Sequence, residues 1–145
     1  MDRSGYKALV AAMWLALPTS AWSYWHVWNE LPARMAVHFD ANWQPNGYTS
    51  RDGALQMGLG ILVFMLVVFT VATLTLHALK PVASWPALLI AYVAVGFCWY
   101  GNYSIVKFNL NAQRAERSLQ SSVLSSRCPT ANPRADHHRE LITEN

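Results

Sequence analysis

Residues 53–79 read GALQMGLGILVFMLVVFTVATLTLHAL and contain no Asp, Glu, Lys or Arg. About 20 apolar residues carry a helix across the hydrocarbon core of a bilayer, so the run predicts a membrane helix over about 55–79. Met57, Leu59, Ile61, Leu62, Phe64, Leu66, Val67, Val68 and Phe69 leave it without a polar face. A helix apolar all round belongs in a large core or in lipid. A chain of 145 residues and 16.3 kDa offers no core of that size.

Working outward, His77, Lys80 and Pro81 close this segment, and no Asp, Glu, Lys or Arg recurs until Lys107. The second uncharged run predicts another membrane helix over about 83–108, continuing to Arg117 as a solvated extension. A connection of a few residues makes the two an antiparallel pair. Upstream, Arg3 and Lys7 lead into an apolar run over about 6–28, with Pro18 as a tolerated kink. A basic start and a short apolar run also describe a secretory signal peptide. Ala21, Trp22, Tyr24, Trp25, Val27 and Trp28 extend the run past any cleavage point and favour an uncleaved first helix.

The composition agrees. Hydrophobic residues make up 53% and charged residues 13%, about half the charged share of a soluble domain. The net charge of +3 and the pI near 9.1 come from Lys and Arg scattered along the chain, without the basic stripe that nucleic-acid binding requires. Cys98 and Cys128 show neither a disulfide framework nor metal-ligand spacing. The expected fold class is an all-α membrane protein: three transmembrane helices in a domain over 1–110, an ordered polar loop over 29–53, and a polar, disordered tail over 111–145. The tail has too little apolar surface to offset the entropy of ordering.

In the loop, Met35, Val37 and Phe39 alternate with Ala36, His38 and Asp40, which predicts a short extended stretch with the first three on one face. Gln44, Pro45, Asn46 and Gly47 carry a turn signal. Ser50 is a candidate helix N-cap, and Asp52 suits the positive first turn that follows. Trp22, Tyr24, Trp25 and Trp28 crowd the end of the first segment, and Trp99, Tyr100 and Tyr103 the end of the third, as rings anchored at headgroup depth do.

The order Leu31, Pro32, then His38, Phe39, Asp40, then Pro45, Asn46, Gly47, Tyr48, then Ser50, Arg51 resembles the bacterial membrane family called domain of unknown function 1648. Its members show LP, then HF or HW, then PDGW or PNGY, and a Ser-Lys or Ser-Arg ending. The resemblance covers roughly the first half of the chain. It implies a multi-pass protein of the bacterial cytoplasmic (inner) membrane with an extracytoplasmic loop, related to the N-terminal part of SdpI-type immunity proteins. A second set of membrane segments matching their C-terminal half is not evident, a departure from the SdpI-type arrangement. A cytoplasmic N-terminus would leave Arg34, Arg51, Lys107, Arg114 and Arg117 outside against Arg3, Lys7 and Lys80 inside. The positive-inside count therefore opposes the family arrangement.

The resemblance makes Pro32, His38, Phe39, Asp40, Pro45, Gly47, Tyr48, Ser50 and Arg51 the candidate binding residues, for sensing, an immunity-like role or interaction. Their expected partners are the lipid bilayer and another membrane protein, an envelope protein, a peptide or a second copy of the chain. No catalytic group, no cofactor and no nucleic acid are expected. Two alternatives stay open. His26 and Glu30, spaced i,i+4, with His38 and Asp40, could ligate Zn or a similar ion in a membrane metalloprotein or metalloenzyme. A small transporter subunit is the other, although three helices without an intramembrane acid offer little for coupling.

Elsewhere simpler roles are expected. His77 and Lys80 are interface residues with their charged ends toward water. Asn102 and Ser104 hydrogen-bond a neighbouring helix. Gly58 and Gly60 permit close helix contact, and Asp136, His137, His138 and Glu140 are solvated.

Overall fold

The structure is a computed structural model that describes residues 3–127. The expectations for Cys128 and for Asp136, His137, His138 and Glu140 lie outside the described residues. Two compact units divide the chain, the first ending at Gln113 and the second starting at Arg114.

The first segment is helical in two pieces, α1 (Arg3–Ala12) and α2 (Ala16–Trp25), joined by a 3-10 turn over Met13–Leu15. Pro18 explains the break, since its ring and missing N–H are incompatible with an α-helical bond to the Trp14 carbonyl. After α2 a second 3-10 turn, Trp28–Glu30, leads into a β-hairpin of β1 (Arg34–Phe39) and β2 (Pro45–Ser50). The helices α3 (Arg51–Leu79) and α4 (Pro81–Arg127) follow. Ser50 caps α3 by accepting the Gly53 N–H on Oγ at 3.0 Å, and Asp52 sits in its first turn.

Four expectations need correction. Among the described residues the regular structure is helical except for a two-stranded sheet, so the extended stretch at 35–39 has a partner strand. The turn lies at 40–44 rather than 44–47, because the Asp40 carboxylate holds it there, accepting the N–H groups of Asn42 and Gln44, both at 2.8 Å. The first helix ends at Trp25 instead of residue 28. The last runs to Arg127 rather than becoming disordered after Arg117. Ala112, Ala115, Leu119 and Leu124 favour helix. Ser121, Ser122 and Ser126 satisfy their hydroxyls on the carbonyls of Ser118, Leu119 and Val123.

Within the first unit each helix buries one narrow seam. In the first segment it runs through Tyr6, Val10, Met13, Ser20 and Tyr24 to Val27, with Leu17 half-buried; in α3 through Ala54, Gly58, Leu62, Leu66 and Thr73; in α4 through Ser84, Leu88, Ala91, Val95, Asn102, Val106 and Asn109. Steps of three and four are the spacing of left-handed helix packing. The seams meet in two apolar clusters, one around Tyr6, Leu62, Leu66 and Leu88, the other around Tyr24, Leu31, Met35, Ala54 and Val106.

The rest of these surfaces is apolar and exposed, including Ile61, Phe64, Val67, Val71, Leu89, Ile90, Val93 and Phe97. α3 and α4 are long and apolar enough to cross a membrane, and little of either apolar stretch is buried. Water would penalise that surface heavily.

Polar groups in the seams pair across helices. Asn102 donates from Nδ2 to the Gly58 carbonyl at 3.1 Å, and its Oδ1 accepts the Tyr24 hydroxyl at 3.3 Å, tying α2, α3 and α4 together. A side chain at Gly58 would overlap the Asn102 carboxamide, whereas one at Gly60 meets nothing. At the other end the Tyr6 hydroxyl reaches the carbonyls of Thr73 and Ser84, both at 3.2 Å. His77 stacks on the Tyr6 ring at 3.9 Å, so it is a packing residue and not a side chain reaching for water. The Ser84 hydroxyl donates to the Pro81 carbonyl at 2.7 Å and lies 2.9 Å from His77 Nδ1.

Candidate functional site

The hairpin is seated by three separate attachments. Asn109 on α4 makes the first: its Oδ1 accepts the Ala36 N–H at 2.8 Å and its Nδ2 donates to the Ala36 carbonyl at 2.9 Å. Both backbone groups of one β1 residue are thereby satisfied on the edge away from β2, as an added strand would satisfy them. Phe39 supplies the second, meeting Phe108 edge to face at 4.8 Å. Arg51 supplies the third at the hairpin's exit. Its guanidinium lies 4.4 Å from the Trp28 ring centroid and donates to the Trp28 carbonyl at 2.9 Å, while its N–H bonds Ala33.

The tip carries a conformational anomaly. Trp43 has φ of 59°, the left-handed region, which costs a non-glycine residue about 1–2 kcal/mol. Its side chain is 81% exposed, so burial does not offset that cost. Val37, Phe39 and Trp43 of the hairpin and Phe97, Tyr100, Gly101, Ser104, Ile105 and Phe108 of α4 line an apolar pocket of about 430 Å³.

The expected site residues divide accordingly. Phe39 lines this pocket. Gly47 fits because a Cβ there would lie 2.7 Å from the His38 Cβ. His38 is exposed and bonds Asn46 Oδ1 through Nδ1 at 2.9 Å. Asp40 serves the turn, Ser50 the cap and Arg51 the Trp28 contact. Pro32 and Pro45 shape the two ends of the hairpin and are half-buried. Tyr48 is exposed beneath the Arg34 guanidinium, 5.6 Å from its ring centroid.

The proposed metal set is not brought together. α2 stops before His26, so His26 and Glu30 do not occupy successive turns of one helix, and His26 Nδ1 bonds the Trp22 carbonyl at 2.7 Å. Among the described residues no group of three or more His, Cys, Asp or Glu could hold a metal ion. Sequence reasoning missed Trp43, Asn109 and the pocket face of α4. The Asn102–Asn109 spacing of one heptad was an available signal for the second of these.

Residues 8–62 match the family model described as Domain of unknown function (DUF1648). With the apolar helices, this match supports a bacterial membrane location. No curated protein and no solved structure matches the chain.

Proposed function

We propose that the chain crosses the bacterial cytoplasmic membrane three times, through α1–α2, α3 and α4, and uses the hairpin as a recognition element without catalysing a reaction. Trp43 carries this reading. A tryptophan held in a left-handed turn and almost fully exposed contributes little to folding; it is suited to meeting a partner, where aromatic anchors dominate binding energy. Tyr48, with the Arg34 guanidinium over its ring, is a second exposed aromatic on the hairpin, nearer its base. The resemblance to SdpI-type proteins favours a membrane or envelope protein, or a peptide, as that partner.

Two measurements test the proposal. Compartment-sensitive reporters fused after Lys80 and, separately, after Arg117 are expected to report opposite sides of the membrane; the same side for both would remove the antiparallel spans. A photocrosslinking residue at position 48 in intact cells is expected to give a discrete polypeptide adduct. Lipid adducts alone, matching those from position 63 on the outer face of α3, would refute recognition by the hairpin.

A further inference from the structure

We infer that the pocket between the hairpin and α4 holds one acyl chain of a bilayer phospholipid, inserted sideways from the membrane. This rests on the membrane reading above and adds the ligand class of a specific cavity.

Depth is the first reason. The α4 wall runs from Phe97, inside the uncharged stretch, to Phe108, next to the exposed Lys107. At about 1.5 Å per residue, that wall passes from hydrocarbon depth to the headgroup boundary. Phe97 is 77% exposed and Tyr100 60% exposed, so its lower part faces the surrounding lipid without a barrier. The pocket is thus continuous with that lipid-facing surface, and Val37, Phe39 and Trp43 of the hairpin line its other side.

The second reason is what the cavity lacks. An apolar peptide entering here would need partners for its backbone N–H and carbonyl groups. The β1 edge that faces α4 is already occupied at Ala36 by the Asn109 carboxamide. A hydrocarbon chain has no such groups to satisfy. A volume of about 430 Å³ falls in the range of about 300–1,000 Å³ found for small-molecule sites. Gly101 widens the wall, since a Cβ there would meet nothing.

The test uses the full chain in vesicles of phosphatidylethanolamine and phosphatidylglycerol that contain a phosphatidylcholine with a diazirine near the end of one acyl chain. After illumination, labelled residues are mapped by mass spectrometry. Labelling is expected at Phe39, Trp43 or Ser104 as well as on the outer face of α3 at Val63, Val67 and Val71. Gly101→Leu and, independently, Ser104→Leu fill the pocket. Losing the burial of about two methylenes is worth about tenfold in occupancy, so pocket labelling should fall about tenfold while α3 labelling stays constant. Unlabelled pocket residues beside a labelled α3, or pocket labelling untouched by both variants, would overturn the inference alone. Absence of labelling everywhere would overturn the membrane reading with it. Displacement of pocket labelling by an added apolar peptide would reassign the cavity to a peptide.

Discussion

Asn109 does for Ala36 what a third strand would do. Its carboxamide takes both backbone groups of a residue 73 positions away in the chain, with Ala36 2% and Asn109 4% exposed. Through this pair a small hairpin, marginal on its own in water, acquires a fixed seat on a long helix.

Replacing Asn109 with Leu should therefore release the hairpin. An unsatisfied buried polar group costs about 1–3 kcal/mol, and two would be left at Ala36. We expect the Ala36 amide to exchange its hydrogen at least about tenfold faster, the equivalent of about 1.4 kcal/mol, while amides in the middle of α3 change little. Unaltered exchange at Ala36 would show that the hairpin does not depend on this pair.

The Tyr24–Asn102–Gly58 junction predicts a contrast between two nearby glycines. Gly58→Ala forces a methyl group into the Asn102 carboxamide, and overpacking of this kind costs about 1–3 kcal/mol. Gly60→Ala meets open space and should be neutral or stabilising by up to about 1 kcal/mol, the helix propensity difference. Unfolding in a mild detergent, titrated with a denaturing one, separates them; equal behaviour of the two variants would contradict the packing.

Trp43→Gly should divide stability from binding. Relief of the left-handed conformation is expected to raise hairpin stability by about 1 kcal/mol, seen as slower amide exchange at Gln44. Removal of the indole should at the same time weaken acyl-chain labelling of the pocket. A loss of stability would mean that the indole is a structural residue.

Arg51→Lys retains the charge and loses the planar fork that both covers Trp28 and reaches its carbonyl. We expect a loss of about 1–2 kcal/mol, from one stacked cation and one charged hydrogen bond. Trp28→Leu should cost less in the Arg51→Lys background than alone, and strict additivity in that double-mutant cycle would rule out coupling.

How much of this was readable beforehand differs by level. The apolar stretches around Leu62 and Val95, the Ser50 cap and the inward set Met35, Val37 and Phe39 could be read directly, because each depends on a few neighbouring residues. The turn was misplaced because Pro45 and Gly47 carry a strong local turn signal, while Asp40, two residues from Asn42, forms the bonds that hold the real one. The metal grouping failed for a related reason: it needed the helix to persist from His26 to Glu30, and α2 ends first. The left-handed backbone of Trp43 was not legible, since nothing local in the sequence marks a backbone angle.

By itself, the sequence determined that α3 and the apolar part of α4 are long helices apolar enough to cross a membrane, since transfer free energy accumulates over a window regardless of what the window packs against. Only the tertiary structure decided which stripe of each helix turns inward and where the hairpin sits. On a helix that is apolar all round, every face has nearly the same affinity for lipid, so hydropathy carries no phase. The choice falls to small and polar seam residues such as Gly58, Asn102 and Asn109, whose value depends on partners far away in the chain.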